Sequence, residues 1–188
     1  QNLEGLLAVF QHLARSIGSH LEVSNFARES GLSHGTAKKY LNALLQSQII
    51  FKLYGYPYGP AKRYIKAAKT YFSDNGILHS LNAGISENFV LAELEKRRKL
   101  GILPVEQFYY YKSAAGHEVD LVFELAGTLH AVEVKASRNP GPRDLQHLRR
   151  FQRRTERPVK AVLFYKGDRY DTIDSIRLIP IAALFRGA

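Results

Sequence analysis

The chain has 188 residues, 45% of them hydrophobic, with no cysteine and a net charge of +10. That length allows one or two domains with real cores, and no stretch reaches the roughly 20 uninterrupted apolar residues of a membrane span. Without cysteine there are no disulfides and no thiolate metal sites, which points to the cytoplasm. The charge favours a polyanionic partner. It is spread evenly: nine basic against four acidic residues over 1–85, and eighteen against thirteen over 86–188. The chain opens at Gln1 with neither a methionine nor a signal peptide, so it is expected to be part of something longer.

In chain order, Leu3, Leu6, Leu7, Phe10, Leu13 and Ala14 recur at helical spacing and predict an amphipathic helix from Asn2 to Arg15. Ser24 reads as the N-cap of a short helix through Phe26, Ala27 and Glu29, which Gly31 ends. Ser33 caps a second helix, His34 to Gln46, with Ala37, Tyr40, Leu41, Leu44 and Leu45 inward. Helix, glycine turn and helix at this spacing is a helix-turn-helix pattern. Ile49 to Leu53 then reads as a strand, Gly55 to Gly59 as a turn, and Arg63 to Lys66 as the returning strand of a wing. The outward residues His34, Thr36, Lys38 and Lys39, with Lys52, Lys62, Arg63 and Lys66 on the wing, suit phosphate contacts. The domain organisation is therefore a winged helix-turn-helix over 1–68, a connector over 69–85 and a second domain over 86–188.

The second domain begins with a helix from Ser86 to Lys99, its buried face made by Phe89 to Ala92, Leu94 and Leu100. Strands follow at Gln107–Lys112, Glu118–Leu125 and Leu129–Ala136. A helix then runs from Pro142 to Arg154, and Val159–Tyr165 is a further strand. Ile176 to Phe185 reads as an edge strand or short helix. On the helix after Pro142, Arg143, Arg149, Arg150, Arg153 and Arg154 form a basic face suited to phosphates, although arginine stems also cover apolar edges.

The chemistry concentrates in Gly116-His117-Glu118-Val119-Asp120 and Glu133-Val134-Lys135. Val119, Leu121 and Phe123 alternate with Glu118, Asp120 and Glu124, as expected of a strand, and Ala126-Gly127 is a two-residue turn. Leu125 then faces Thr128, which sets Asp120 opposite Glu133 and Glu118 opposite Lys135. Like charges opposite one another destabilise a strand pair. A hard divalent cation, Mg²⁺ or Mn²⁺, gives a reason for the pair. Lys135 is then placed to orient water or offset charge on a phosphate. His117 alternates away from Asp120 and reads as structural. No histidine spacing suggests zinc.

An aspartate followed by E-x-K on the next strand resembles the PD-(D/E)XK nuclease core, with Glu118-Val119 where the proline of that name would stand. The order helix, three strands, helix, strand agrees with it. Together with Lys69 to Gly76 and Glu87 to Leu94, these motifs resemble the C-terminal region of bacterial and archaeal AAA+ ATPases that carry a domain of unknown function. The resemblance implies an α/β (α+β) chain: a winged helix followed by a nuclease-like domain whose mixed central sheet is flanked by helices. It also implies Asp120, Glu133 and Lys135 as catalytic residues, Asp120 and Glu133 being the metal ligands. Glu87 on the first helix would complete the site, with Glu93 as competitor. ATP would bind only in an upstream domain, since no G-x-x-x-x-G-K-[ST] element is present here. Two functions follow as expectations: metal-dependent hydrolysis of DNA, or a catalytically silent DNA-binding or protein-interaction module of the ATPase.

Overall fold

The computed structural model describes residues 3–57, 68–81 and 86–185. The chain divides into two compact units, the first from residues 1–54 and 65–92, the second from 55–64 and 93–188. The architecture is mixed α/β, with six α-helices and eight strands among the described residues.

In the first unit, α1 (Leu3–Arg15), α2 (Val23–Glu29) and α3 (His34–Gln46) enclose a core of Val9, Leu13, Phe26, Ala37, Leu41 and Leu44. Ser33 caps α3 as its sequence position predicts, its hydroxyl accepting the Thr36 N–H at 3.2 Å. Ser24 does not cap α2. That helix starts two residues earlier, at Val23, with Glu22 in the cap position and no side-chain cap bond. The Leu21 N–H bonds the Ala68 carbonyl at 3.1 Å, so the extended segment ends sooner than the serine suggests.

Strand β1 (Ile50–Gly55) pairs antiparallel with β2 (Lys69–Phe72), from Ile50↔Phe72 to Leu53↔Lys69. The returning strand expected at Arg63 to Lys66, and Lys62 with it, lies outside the described residues; β2 comes instead from the stretch read as a connector. Short α4 (Asn75–Ser80) follows, capped by Asp74. The buried Asn88 side chain brackets β2: its Oδ1 accepts the Phe72 N–H at 2.8 Å and its Nδ2 donates to the Phe72 carbonyl at 3.0 Å. Asn88 lies on α5 (Ser86–Lys99), which carries residues of both units. Leu100, read as part of its buried face, falls beyond the helix end and is exposed.

The second unit is built on β3 (Tyr109–Lys112), β4 (Glu118–Leu125), β5 (Thr128–Lys135), β6 (Val159–Tyr165), β7 (Asp171–Ile173) and β8 (Ile176–Pro180). Their order is β3-β4-β5-β6-β8-β7. The first two pairings are antiparallel; β5 with β6 and β6 with β8 are parallel. The parallel step from β5 to β6 needs a crossover, which α6 (Gln146–Arg154) supplies. Leu145, Leu148 and Phe151 pack there with Val122, Ala131, Leu163 and Leu178, the larger side chains each contributing about 1.5–3 kcal/mol if fully buried. The helix starts at Gln146 rather than Pro142 because Asp144 turns the chain. Its carboxylate accepts the Gly141 N–H at 2.8 Å, a local bond that competes with helix.

Candidate functional site

The β4–β5 hairpin closes through Ala126 and Gly127, whose φ angles of 49° and 74° are those of a tight two-residue turn. The expected register holds from Leu125↔Thr128 to Leu121↔Val132. The other edge of β4 departs from regular alternation. Tyr109 pairs with Val122 but Tyr111 pairs with Val119, so β4 has one residue more than β3 between these pairs. That extra residue is a β-bulge, which re-aims neighbouring side chains. Val119 and Val122 consequently both enter the core under α6, although three positions apart in a regular strand would put them on opposite faces.

Asp120 lies in this bulge. Its Oδ2 accepts the Val134 N–H at 2.8 Å, so the carboxylate bonds to the β5 backbone beyond the last ladder pair, Leu121↔Val132. Glu133 is buried, its side chain 4% exposed, and its Oε1 lies 2.8 Å from Lys135 Nζ, whose side chain is 32% exposed. Burial works against the charged ammonium of Lys135, but the Glu133 carboxylate, with Asp120 and Asp144 behind it, outweighs that and raises its pKa. Lys135 therefore remains protonated around neutral pH. Its partner is Glu133, two residues back on the same face, and not Glu118 as the simple register predicts; Glu118 meets Lys112 of β3 at 3.4 Å.

The chemistry of this group suits a hard cation: two carboxylates at one sheet end, with oxygen donors only. Mg²⁺ is commonly held by one or two carboxylates and the substrate's own phosphates. Among the described residues no group of three or more His, Cys, Asp or Glu side chains is placed to hold a metal ion. Glu87, the expected third acid, lies in the first unit, where its Oε1 accepts the Tyr71 hydroxyl at 2.8 Å. A Cβ on Gly18 would come within 2.9 Å of the same carboxylate. Glu93 lies 3.9 Å from Lys96 on its own helix.

The basic residues separate into groups. Lys38 and Lys39 are exposed on α3, and Lys62 and Arg63 lie outside the described residues. Arg143 is exposed in the turn before α6. Arg149 is ion-paired with Asp174 and donates to the Pro142 carbonyl at 3.3 Å, so it is engaged within the unit. Arg150, Arg153 and Arg154, three and four positions apart and thus on one side of the helix, line a cleft of about 360 Å³ together with Tyr111, Ser113, His117, Val119, His147 and Phe151. Sequence reasoning missed Asp144 and His147. The signal for His147 was its position three residues before Arg150 and seven before Arg154; Asp144 had none, since a loop brings it to Lys135.

Residues 83–184, more than half of the chain, match a family model described as a domain of unknown function, DUF4143. The chain belongs to the DUF4143 family. The DUF4143 segment contains Asp120, Glu133, Lys135 and the whole cleft, while residues 1–88 match a second domain of unknown function, DUF8612. Two uncharacterized mycobacterial proteins, Rv2008c of Mycobacterium tuberculosis and Mb2031c of Mycobacterium bovis, are each 28% identical over 141 residues. The match covers 68% of this chain and 31% of each relative, so the chain spans under a third of the length of the curated relatives it matches. A crystal structure of protein VC1899 from Vibrio cholerae aligns with 96% of this chain and 48% of that one, at 15% identity and a TM-score of 0.40. Among the described residues no helix is long and apolar enough to cross a membrane.

Proposed function

We propose that the second unit is a PD-(D/E)XK-like phosphodiesterase centre acting on DNA, and that the first is a winged helix-turn-helix that engages the same substrate. One observation carries this reading: a buried glutamate paired to a half-buried lysine, next to an aspartate held in a strand bulge. Burying a charge pair costs desolvation that an apolar pair of similar volume avoids. Stability gives no reason to keep it, and perturbed, clustered charges of this kind mark functional sites.

Asp120 and Glu133 are the residues that would hold Mg²⁺ or Mn²⁺. When bound, such a cation supplies Lewis-acid stabilisation of phosphoryl oxygens. Asp120 is fixed by the Val134 N–H at its Oδ2. Lys135, kept charged by its acidic neighbours, suits electrostatic stabilisation and orientation of water better than proton abstraction. Lys38 and Lys39 of α3 are the phosphate contacts of the first unit. The protein would be the C-terminal part of a cytoplasmic ATPase whose nucleotide site lies upstream.

Plasmid nicking with Mg²⁺ or Mn²⁺ tests the reading: cleavage by the wild type and none by Asp120→Ala supports it. Binding of DNA without cleavage in either cation supports the second reading, a catalytically silent regulatory module. That alternative draws on the engagement of Glu87 by Tyr71, which occupies the acid expected to complete a nuclease site.

A further inference from the structure

We propose that the cleft between α6 and the β3–β4 hairpin binds a terminal phosphate, a phosphomonoester. Tyr111, Val119 and Phe151 are buried and form its apolar floor. Three guanidiniums, from Arg150, Arg153 and Arg154, and two imidazoles, from His117 and His147, line it, and among the described residues no carboxylate does. Cations gathered this way repel one another, and an anion relieves that repulsion. A phosphomonoester carries close to two charges and three strong acceptor oxygens near neutral pH, where a diester carries one charge. Arginine forks match such oxygens in pairs.

The two histidines are positioned for the same ligand. The rings lie 5.9 Å apart, edge to face. His147 Nδ1 is 2.7 Å from the Glu118 carbonyl and donates to it, which fixes the ring and leaves Nε2 as its second polar atom. Arg150 donates to the His117 ring. The volume, about 360 Å³, falls in the range of roughly 300–1,000 Å³ typical of small-ligand clefts. The ligand chemistry fits either the phosphorylated end of a nucleic-acid strand or a free nucleotide. The site does not depend on cleavage at Asp120, so it can stand if the phosphodiesterase reading fails.

The test measures binding of a 5′-phosphorylated oligonucleotide, the same oligonucleotide with a 5′-hydroxyl, AMP and inorganic phosphate. Wild type, an Arg150→Ala/Arg154→Ala variant and an Arg157→Ala control, whose arginine lies outside the cleft, are compared. A charge-assisted contact predicts about tenfold tighter binding of the 5′-phosphate strand, lost in the double variant and kept in the control. Preference for AMP and inorganic phosphate over either oligonucleotide, with the same loss, keeps the phosphomonoester and assigns it to a free nucleotide. Equal binding of the two oligonucleotides, or binding of none of the four, overturns the proposal. If the double variant does not fold, the wild type still decides by NMR. Phosphate should move the His117 and His147 ring signals and leave His12 unmoved, and unmoved cleft histidines overturn it.

Discussion

Lys135 Nζ stands 2.8 Å from Oε1 of Glu133, two residues back along the same strand, and the two differ in what they lose by separation. Glu133 is almost wholly buried while a third of Lys135 meets solvent. Removing the lysine takes the ion-pair partner from a buried carboxylate; removing the glutamate leaves an ammonium that water can reach.

Lys135→Ala should therefore destabilise the second unit by about 1–3 kcal/mol, the cost of a buried polar group that loses its partner. This exceeds the ~0–1 kcal/mol of an exposed ion pair that the simple register implies. Adding Glu133→Gln should recover part of the loss. Urea unfolding of the three proteins measures it, and a stability-neutral Lys135→Ala would refute the assignment of Glu133 as its dependent partner.

The proposed metal binding and the strand anchoring can be separated at Asp120. Mn²⁺ at 100-fold over its dissociation constant should stabilise the wild type by about 2.7 kcal/mol. Asp120→Asn keeps an oxygen for the Val134 N–H but loses the charge, so it should remain folded and lose the Mn²⁺ shift. Thermal melts with and without Mn²⁺ decide this; an undiminished shift in Asp120→Asn would remove Asp120 from the metal site.

Salt titrations of duplex binding sort the arginines. Each phosphate contact contributes about −0.9 to the slope of log affinity against log salt. Arg150→Ala and Arg153→Ala should each flatten the slope by about one contact. Arg149→Ala should leave it nearly unchanged, because Asp174 and the Pro142 carbonyl already hold that guanidinium. A loss at Arg149 equal to that at Arg150 would contradict this division.

His130 makes stability depend on pH. Burial lowers its pKa, Lys160 adds to that, and a bond to the Thr128 carbonyl opposes it without reversing it. The ring stacks on Phe123 at 4.9 Å. Its native pKa lies below the unfolded value of about 6.5, so on acidification the unfolded chain takes up the proton first. Its contribution is fully present above that value and is lost as pH falls below it. His130→Phe should flatten the pH dependence of urea midpoints between about pH 7 and 5, with His117, shifted in the same direction, retaining a share.

Local signals were legible in the sequence. Ser33 caps its helix because the cap bond is made within four residues, and Ala126-Gly127 sets the β4–β5 register because a tight turn leaves no slack. The bulge at Asp120 was not legible, since it arises from the pairing of β4 with β3, and neither strand alone records the mismatch. Strict alternation therefore misassigned the Lys135 partner. The start of α6 was misread because Pro142 is a good first helical residue, while the competing Asp144–Gly141 bond reads as a turn only once both are in place.

The extra residue between Val119 and Val122 makes the chemistry of this fold separable from its architecture. Deleting one residue there should restore an unbroken ladder between β3 and β4 while removing or re-aiming the acid, and the β4–β5 turn and the parallel pairings lie outside the shortened stretch. A lineage could thus lose the acid of the proposed centre through a single codon, or regain it by an insertion, in the stretch where β4 already departs from the β3 ladder.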